Sequence, residues 1–294
     1  MKRSPTLSAA VILLLAGLAS DVVADFDAPV IKEWSVKEKN EEGKEEEVFY
    51  MTIDGILVHE TDPAKQPPPP VVTPGTPSTQ KEAGRAPSDA VVLFDGTDAS
   101  MANWTDTKGA PSKWVAGDGY MESVKGAGYI QTKEQFGSCQ LHVEFATPQR
   151  VAGSGQGRGN SGVFLQGQYE VQVLDSYGWA VPGLGDCSAV YNQHAPLVNA
   201  CRPALEWQTY DVFFRSARVD GSGAVVEPVR MTVLHNGVVV HNNIQLPGLT
   251  GGAIDQVEGT PGPLLLQDHS NPVSYRNIWI VPLPLKGSDT YEPR

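Results

Sequence analysis

The sequence predicts an all-β protein: a two-sheet sandwich in the C-terminal two thirds, preceded by an export signal and a proline-rich linker. Three observations carry this. From Val91 onward, short β-prone segments alternate with turn residues and none shows a sustained helical period. Thirty glycines and 23 prolines supply many turns without making the chain low-complexity. Asn236-Gly237, between apolar segments 231–235 and 238–241, is the signature of a two-residue type I′ hairpin. About a dozen strands in roughly 195 residues suit two packed sheets.

Taken in chain order, Lys2 and Arg3 precede the apolar run 9–19, and Val22-Val23-Ala24 offers residues that a signal peptidase accepts. Residues 1–24 therefore read as a cleaved secretory signal. A membrane anchor needs about 20 apolar residues, and Asp21 interrupts this run too early. Cys139 is the first cysteine, which excludes lipid attachment at a mature N-terminal cysteine. The mature protein is expected in the periplasm or outside the cell, and not as an integral membrane protein. Residues 25–62 form a small acidic region, in which the charge run 37–47 reads as a solvated face or loop. Residues 48–58 fit a hairpin around Asp54-Gly55. Pro67–Pro70 and the Thr/Pro/Ser/Gly stretch to Pro87 cannot build a ladder, so 63–88 reads as an extended spacer. The sandwich takes 89–284 and a tail 285–294.

Within the sandwich, strands are expected at 91–94, 113–116, 120–124, 129–132, 139–147, 161–166, 169–174, 207–215, 230–235, 238–241, 264–269 and 273–281. Alternation assigns their faces. Cys139, Leu141, Val143 and Phe145 share one face, with Gln140, His142 and Glu144 on the other. Tyr169, Val171 and Val173 likewise oppose Glu170 and Gln172. A polar sheet face of carboxylates and amides is either plainly solvated or a platform for sugar hydroxyls, which need paired donors and acceptors. The net charge of −12 argues against nucleic acid and anionic membrane, which need a basic footprint, and favours a small neutral ligand.

Three cysteines allow one bridge. Cys187 and Cys201 flank an irregular stretch; joining them closes a loop of about 15 residues and adds about 3 kcal/mol. Cys139, on an apolar strand face, reads as a buried free thiol, and no Cys-x-x-Cys pair suggests a metal. The glycine-rich run 153–162 continues into a strand and lacks Gly-Lys-Ser/Thr, so it reads as a loop at the sheet rim and not as a phosphate cradle. Ser161 lacks a nucleophile-elbow context. The six histidines show no zinc-helix spacing. His235 and His241 flank a hairpin and are expected to be exposed, whereas Gln267, Asp268, Ser270 and Asn271 gather around His269 where a strand ends and either cap a turn or line a site.

Several motifs in order, Leu93-Phe94-Asp95-Gly96-Thr97, Asn160-Ser161-Gly162-Val163-Phe164-Leu165, residues 169–176 (Tyr-Glu-Val-Gln-Val-Leu-Asp-Ser), Glu206-Trp207-Gln208-Thr209-Tyr210-Asp211, Leu234-His235-Asn236-Gly237-Val238, Leu266-Gln267-Asp268-His269 and Tyr275-Arg276-Asn277-Ile278-Trp279-Ile280, resemble the 3-keto-disaccharide hydrolase domain family, also described as 3-keto-glucoside lyases and 3-keto-glucal hydratases. The resemblance covers about residues 90–283. It implies a concanavalin-A-like jelly-roll sandwich and an exported enzyme that cleaves 3-keto-glycosides by elimination, hydration or both. A ketone at C3 acidifies the C2 proton, so a base, a donor for the enolate and an acid for the leaving oxygen are needed. Glu170, His269 and Asp175 are the implied catalytic candidates, and Asn160, Gln172, Gln208, Gln267, Asp268 and Arg276 the substrate-binding ones. Asp175 and Asp268 either orient partners or hold a divalent cation; no other cofactor is implied and no metal ligand set is assigned. Arg276 paired with Asp268 or Asp175 is the competing structural reading. A non-catalytic carbohydrate-binding module and a structural exported sandwich are the alternatives in function. The motifs do not fix the oligomeric state.

Overall fold

The computed structural model describes residues 30–40, 42–53, 56–58, 71–148, 155–180 and 182–284. The expected signal sequence, the first part of the spacer, Asp54-Gly55 and the expected tail lie outside them. The chain divides into two units, up to Pro68 and from Pro69 onward.

The first unit is an antiparallel three-stranded sheet of β1 (Ile31–Lys39), β2 (Glu45–Ile53) and β3 (Ile56–Val58). The β2–β3 pairing sets Ile53 opposite Ile56, which is the hairpin expected around Asp54-Gly55. Residues 37–47 are not a loop throughout: they are the ends of β1 and β2 and the turn between them. Asn40 Oδ1 accepts from the backbone N–H groups of Glu42 and Lys44 there, and Gly43 takes φ +78°. Trp34 and Tyr50 face each other across the pair, their rings stacked at 5.6 Å.

The second unit contains β4 (Val91–Phe94), α1 (Asp98–Met101), β5 (Trp104–Asp106), β6 (Val115–Gly117), β7 (Tyr120–Glu122), β8 (Ile130–Phe136), β9 (Cys139–Ala146), β10 (Ser161–Leu165) and β11 (Tyr169–Val173). These are followed by β12 (Gln208–Arg215), β13 (Arg218–Val219), β14 (Val225–Glu227), β15 (Arg230–His235), β16 (Val238–Gln245), β17 (Gly262–Leu266) and β18 (Ser274–Pro282). A small sheet runs in the order β11-β10-β17-β8-β5, and a large one runs β16-β15-β12-β9-β18-β7-β6 with β4 also on β18. Every pairing is antiparallel. This is the all-β jelly-roll sandwich that the sequence predicts. The expected strands all form within a few residues; β5, β13, β14 and the one-turn helix α1 were not foreseen, each being too short for a periodic signal. Asn236 and Gly237 both take positive φ, +52° and +79°, as a type I′ turn requires.

Alternation builds the core. Leu141, Val143 and Phe145 of β9, Tyr210, Val212 and Phe214 of β12 and Ile278 and Ile280 of β18 meet Val163, Val171, Val173, Leu264 and Leu266 of the small sheet, all buried. Each such side chain contributes about 1.5–3 kcal/mol by leaving water. Two phenols stitch the sheets together through this core. Tyr210 Oη donates to the Gln172 carbonyl at 2.7 Å, and Tyr275 Oη donates to Ser161 Oγ at 2.7 Å. His235 and His241, expected at the surface, are buried, because His235 continues the inward phase of Met231 and Val233. Ser188 Oγ and Gln208 Oε1 hold its two ring nitrogens at 2.7 and 2.9 Å, and burial keeps it neutral with a pKa of about 3.

Residues 71–88 form no regular element, yet they are not a free spacer. Hydrogen bonds from Ser88 N–H to the Thr73 carbonyl, Thr76 N–H to the Arg85 carbonyl and Thr79 N–H to the Glu82 carbonyl fold them into a narrow loop. Its tip, Ser78 to Gln80, rests on the outer face of the large sheet: Arg276 Nη2 donates to the Thr79 carbonyl at 2.5 Å.

Candidate functional site

The outer face of the small sheet is built from β10 and β11. Inward-pointing Val163 and Val171 leave Gly162, Phe164, Glu170 and Gln172 outward, with Gly162 opposite Gln172 and Phe164 opposite Glu170. Gly162 matters through what it lacks. A Cβ on it would lie 2.3 Å from Glu170 Oε1, so the glycine leaves the space that the carboxyl fills. The free edge of β11 is covered: Tyr191 N–H donates to the Glu170 carbonyl at 3.1 Å, and Glu170 N–H donates to Thr250 Oγ1 at 2.9 Å. The Glu170 side chain is 3 % exposed, and its carboxyl has no hydrogen-bond partner among the described residues. Burial raises its pKa from 4.5 to about 8, so Glu170 is largely a neutral carboxylic acid at pH 7.

Amides and a phenol surround it. Gln172 Nε2 donates to Asn160 Oδ1 at 3.0 Å, and Asn160 N–H donates to Asn271 Oδ1 at 2.8 Å. Gln267 is pinned by its backbone, since its N–H donates to the Gly162 carbonyl at 3.0 Å and its carbonyl accepts from Ser161 Oγ. Its Nε2 donates to Tyr129 Oη at 2.9 Å, while its Oε1 is buried with no partner. Tyr129 is half-buried with its ring 6.2 Å from Phe164. Burial and the nearby Glu170 and Asp268 raise its pKa, outweighing the bond from Gln267. This face thus carries one buried polar atom with no partner, Gln267 Oε1, together with the carboxyl of the buried Glu170; a buried polar atom left open in this way marks a place for a ligand.

The remaining candidates divide. Asp268 accepts from Gly128 N–H at 3.1 Å and Ser270 N–H at 2.8 Å, and it sets the exposed His269 at the rim. Asp175 is taken up by Arg158 Nη2 at 2.9 Å. Neither aspartate belongs to a group of three His, Cys, Asp or Glu ligand atoms among the described residues, so the structure shows no gathered cation site at either. Gln208 and Arg276 are not at this face. Gln208 shares the inward phase of Tyr210 and Val212, and its Oε1 accepts from Arg202 N–H at 2.9 Å. Arg276 lies on the outer face of the other sheet, where its Nε donates to Glu144 Oε2 at 2.7 Å, so its partner is neither Asp268 nor Asp175. The cysteines are free thiols: Cys139 is buried, and burial raises its pKa to about 12. Cys187 and Cys201, the expected bridge, stand unbridged, their sulfurs and a His235 ring nitrogen within 4.8 Å of one another. Tyr129 and Thr250 join the site unforeseen, and Asn271 comes to it from the polar cluster expected around His269. They lie at strand edges or in loops, where sequence carries no periodic signal.

Comparison with known proteins agrees with this architecture. Residues 89–281 match the model of the 3-keto-alpha-glucoside-1,2-lyase-like domain. A solved structure from Parabacteroides distasonis ATCC 8503, provisionally assigned as a glycosyl hydrolase, is 42 % identical, covers 74 % of this chain and 93 % of its own, and superposes with a TM-score of 0.68. A second from that organism with the same assignment is 19 % identical over 67 % of this chain and 94 % of its own, with a TM-score of 0.50, and shares the fold. No curated protein matches the chain. The match over residues 89–281 places this chain in the 3-keto-alpha-glucoside-1,2-lyase-like domain family.

Proposed function

We propose that this carbohydrate-active domain cleaves 3-keto-glycosides on the outer face of its small sheet, with Glu170 as the proton-transfer group. The observation that carries the reading is a buried, unpaired carboxylic acid whose pKa of about 8 lies close to neutral pH, beside the unpaired Oε1 of Gln267. Glu144, the other buried glutamate of an outer face, does not qualify. Burial would raise its pKa, but hydrogen bonds from His142, Ser78, Asn277 and Arg276 outweigh that and hold it at about 2, so it stays ionised.

The ketone at C3 makes the C2 proton removable. His269, exposed at the rim, takes that proton as the C1–O bond breaks with its electron pair on the aglycone oxygen. Glu170 gives this oxygen its proton, and C1 and C2 become a double bond conjugated with the ketone. Water then adds across that bond, hydroxyl to C1 and hydrogen to C2, which completes a net hydrolysis. In this reading Tyr129 Oη, which accepts from Gln267 Nε2, donates to the C3 oxygen as charge develops on it, and the open Gln267 Oε1 accepts from a sugar hydroxyl. Asn160 and Gln172 supply donors and acceptors for the remaining hydroxyls. Export through residues 1–24 suits a glycoside met outside the cytoplasm.

The test sets p-nitrophenyl glucoside oxidised at C3 beside its unoxidised parent. Turnover of the oxidised compound alone, lost in Glu170→Gln, is the expected result. Undiminished turnover in folded Glu170→Gln overturns the assignment. Saturable binding of both without turnover points instead to a binding module.

A further inference from the structure

The outer face of the large sheet carries a second polar assembly that this mechanism leaves unused. Glu144 is fully buried and accepts from Arg276 Nε at 2.7 Å, from Asn277 Nδ2 at 2.7 Å and from Ser78 Oγ of the loop tip. His142, stacked on Trp279 at 5.0 Å, bonds Asp211 Oδ1 through Nδ1 at 2.7 Å. Burial alone would lower the His142 pKa, yet Asp211 and Glu144 lift it to about 9, so His142 and Arg276 balance the two carboxylates. Gln80 clasps the backbone of Trp207 from both sides: its Nε2 donates to the Trp207 carbonyl at 2.9 Å, and its Oε1 accepts from Trp207 N–H at 2.7 Å. The Arg276 guanidinium lies 4.2 Å from the centroid of the Trp207 ring.

Between the loop tip and the sheet lies a cavity of about 540 Å³, bounded by Ser78 and Gln80 on one side, His142, Thr209 and Asp211 below, and Arg202 and Trp207 opposite. That volume is in the range of small-ligand sites. Glu144 and His142 beneath are fully engaged, and three groups facing the cavity keep free capacity among the described residues. Asp211 uses one carboxylate oxygen, the Thr209 hydroxyl has no partner, and exposed Arg202 spends only Nη1, on the Trp207 carbonyl at 3.0 Å. A carboxylate, a hydroxyl, a guanidinium and an indole in one cleft fit vicinal hydroxyls on a ring with an apolar face. An anion would meet the Asp211 carboxylate, whereas a neutral polyol can use Asp211 and Arg202 together.

We propose that this cleft is a second, non-catalytic site for a neutral saccharide of one or two rings, and that residues 77–80, which the composition marks as linker, form one of its walls. It is independent of the Glu170 reading. The full chain carrying Glu170→Gln, which leaves the second face intact, is titrated with cellobiose and with laminaribiose while backbone amide NMR shifts are followed. Saturable shifts at Ser78, Thr209 and Asn236 are expected, and Gln80→Ala and Trp207→Ala should each weaken them about tenfold or more. The same two substitutions in an otherwise wild-type chain should leave turnover of the 3-keto substrate unchanged. Gln80 is exposed, so its variant keeps the test valid if Trp207→Ala does not fold. Shifts confined to amides around Gly162 and Gln267, or shifts at Thr209 that persist undiminished in Gln80→Ala and Trp207→Ala, overturn the proposal. So does the absence of any saturable shift with either sugar.

Discussion

Glu170→Gln should stabilise the protein while abolishing its chemistry, with a pH dependence that identifies the cause. In the unfolded chain a glutamate releases its proton near its ordinary pKa of 4.5; in the fold burial raises this to about 8. A raised acid pKa means that the folded state holds the extra proton. The associated stability is therefore complete below pH 4.5 and declines as the pH climbs toward 8. At pH 7 the lost stability is at most about 3–4 kcal/mol, from about 1.4 kcal/mol per pK unit over the 2.5 units above 4.5. Glutamine keeps the shape, cannot ionise and removes the decline. Urea unfolding of both proteins between pH 4 and 8 should show curves that coincide at the acid end, with the variant pulling ahead by about 2–3 kcal/mol near neutrality. Turnover of a 3-keto-glucoside should fall by a factor of about a hundred or more. A stability difference that is flat with pH, or a variant weaker than wild type at pH 8, would refute the reasoning, since either means that the folded carboxylate is ionised and paired.

Gly162→Ala places a methyl group 2.3 Å from Glu170 Oε1, so it should move the carboxyl and cut kcat more than it raises KM, which steady-state kinetics on the oxidised glucoside reads directly. Glu144→Ala strips the buried Arg276 of its carboxylate and should cost about 3–5 kcal/mol in urea unfolding; a loss under 1 kcal/mol would show that the network is dispensable. Because the Glu144 pKa is depressed from 4.5 to about 2, wild type should also shed this stability as the pH falls through that interval, which acid unfolding followed by circular dichroism measures. Oxidation in air should consume two of the three thiols, leave Cys139 titratable after denaturation and add about 3 kcal/mol, and Cys201→Ser should abolish the gain.

Much of the fold was legible because strand alternation is a local property. The parity of β9 and β11 put Leu141, Val143, Val171 and Val173 inward and exposed Glu144 and Glu170 to the two outer faces. Parity also carried a warning about Gln208, which shares the phase of Tyr210 and Val212 and so turns inward. What parity cannot carry is which strands become neighbours. Arg276 meets Glu144, 132 residues away in sequence, because β18 pairs with β9 and not with the strand bearing Glu170. The docked loop was opaque for a related reason. Its composition does rule out a ladder, and none forms, but its place on the sheet depends on single side chains, Ser78 and Gln80, whose partners lie far along the chain.

The two outer faces show how partners, more than burial, decide what a glutamate can do. Glu144 and Glu170 are both buried glutamates on outward strand positions, at 0 % and 3 % exposure. One is surrounded by Arg276, Asn277, His142 and Ser78, and the ionised form is the only one those partners stabilise; the other has a glycine, a phenylalanine and a phenol nearby and keeps its proton. A group held at a pKa of about 2 is a fixed charge that can anchor a loop and shape a cleft, but it takes up no proton near neutral pH. A group held near 8 can give and recover one within the working range. In the functions proposed above, the same residue type therefore serves proton transfer on the small sheet and binding architecture on the large one. Loss of turnover without loss of stability in Glu170→Gln, and loss of stability in Glu144→Ala with turnover kept by whatever fraction remains folded, are the two halves of that argument.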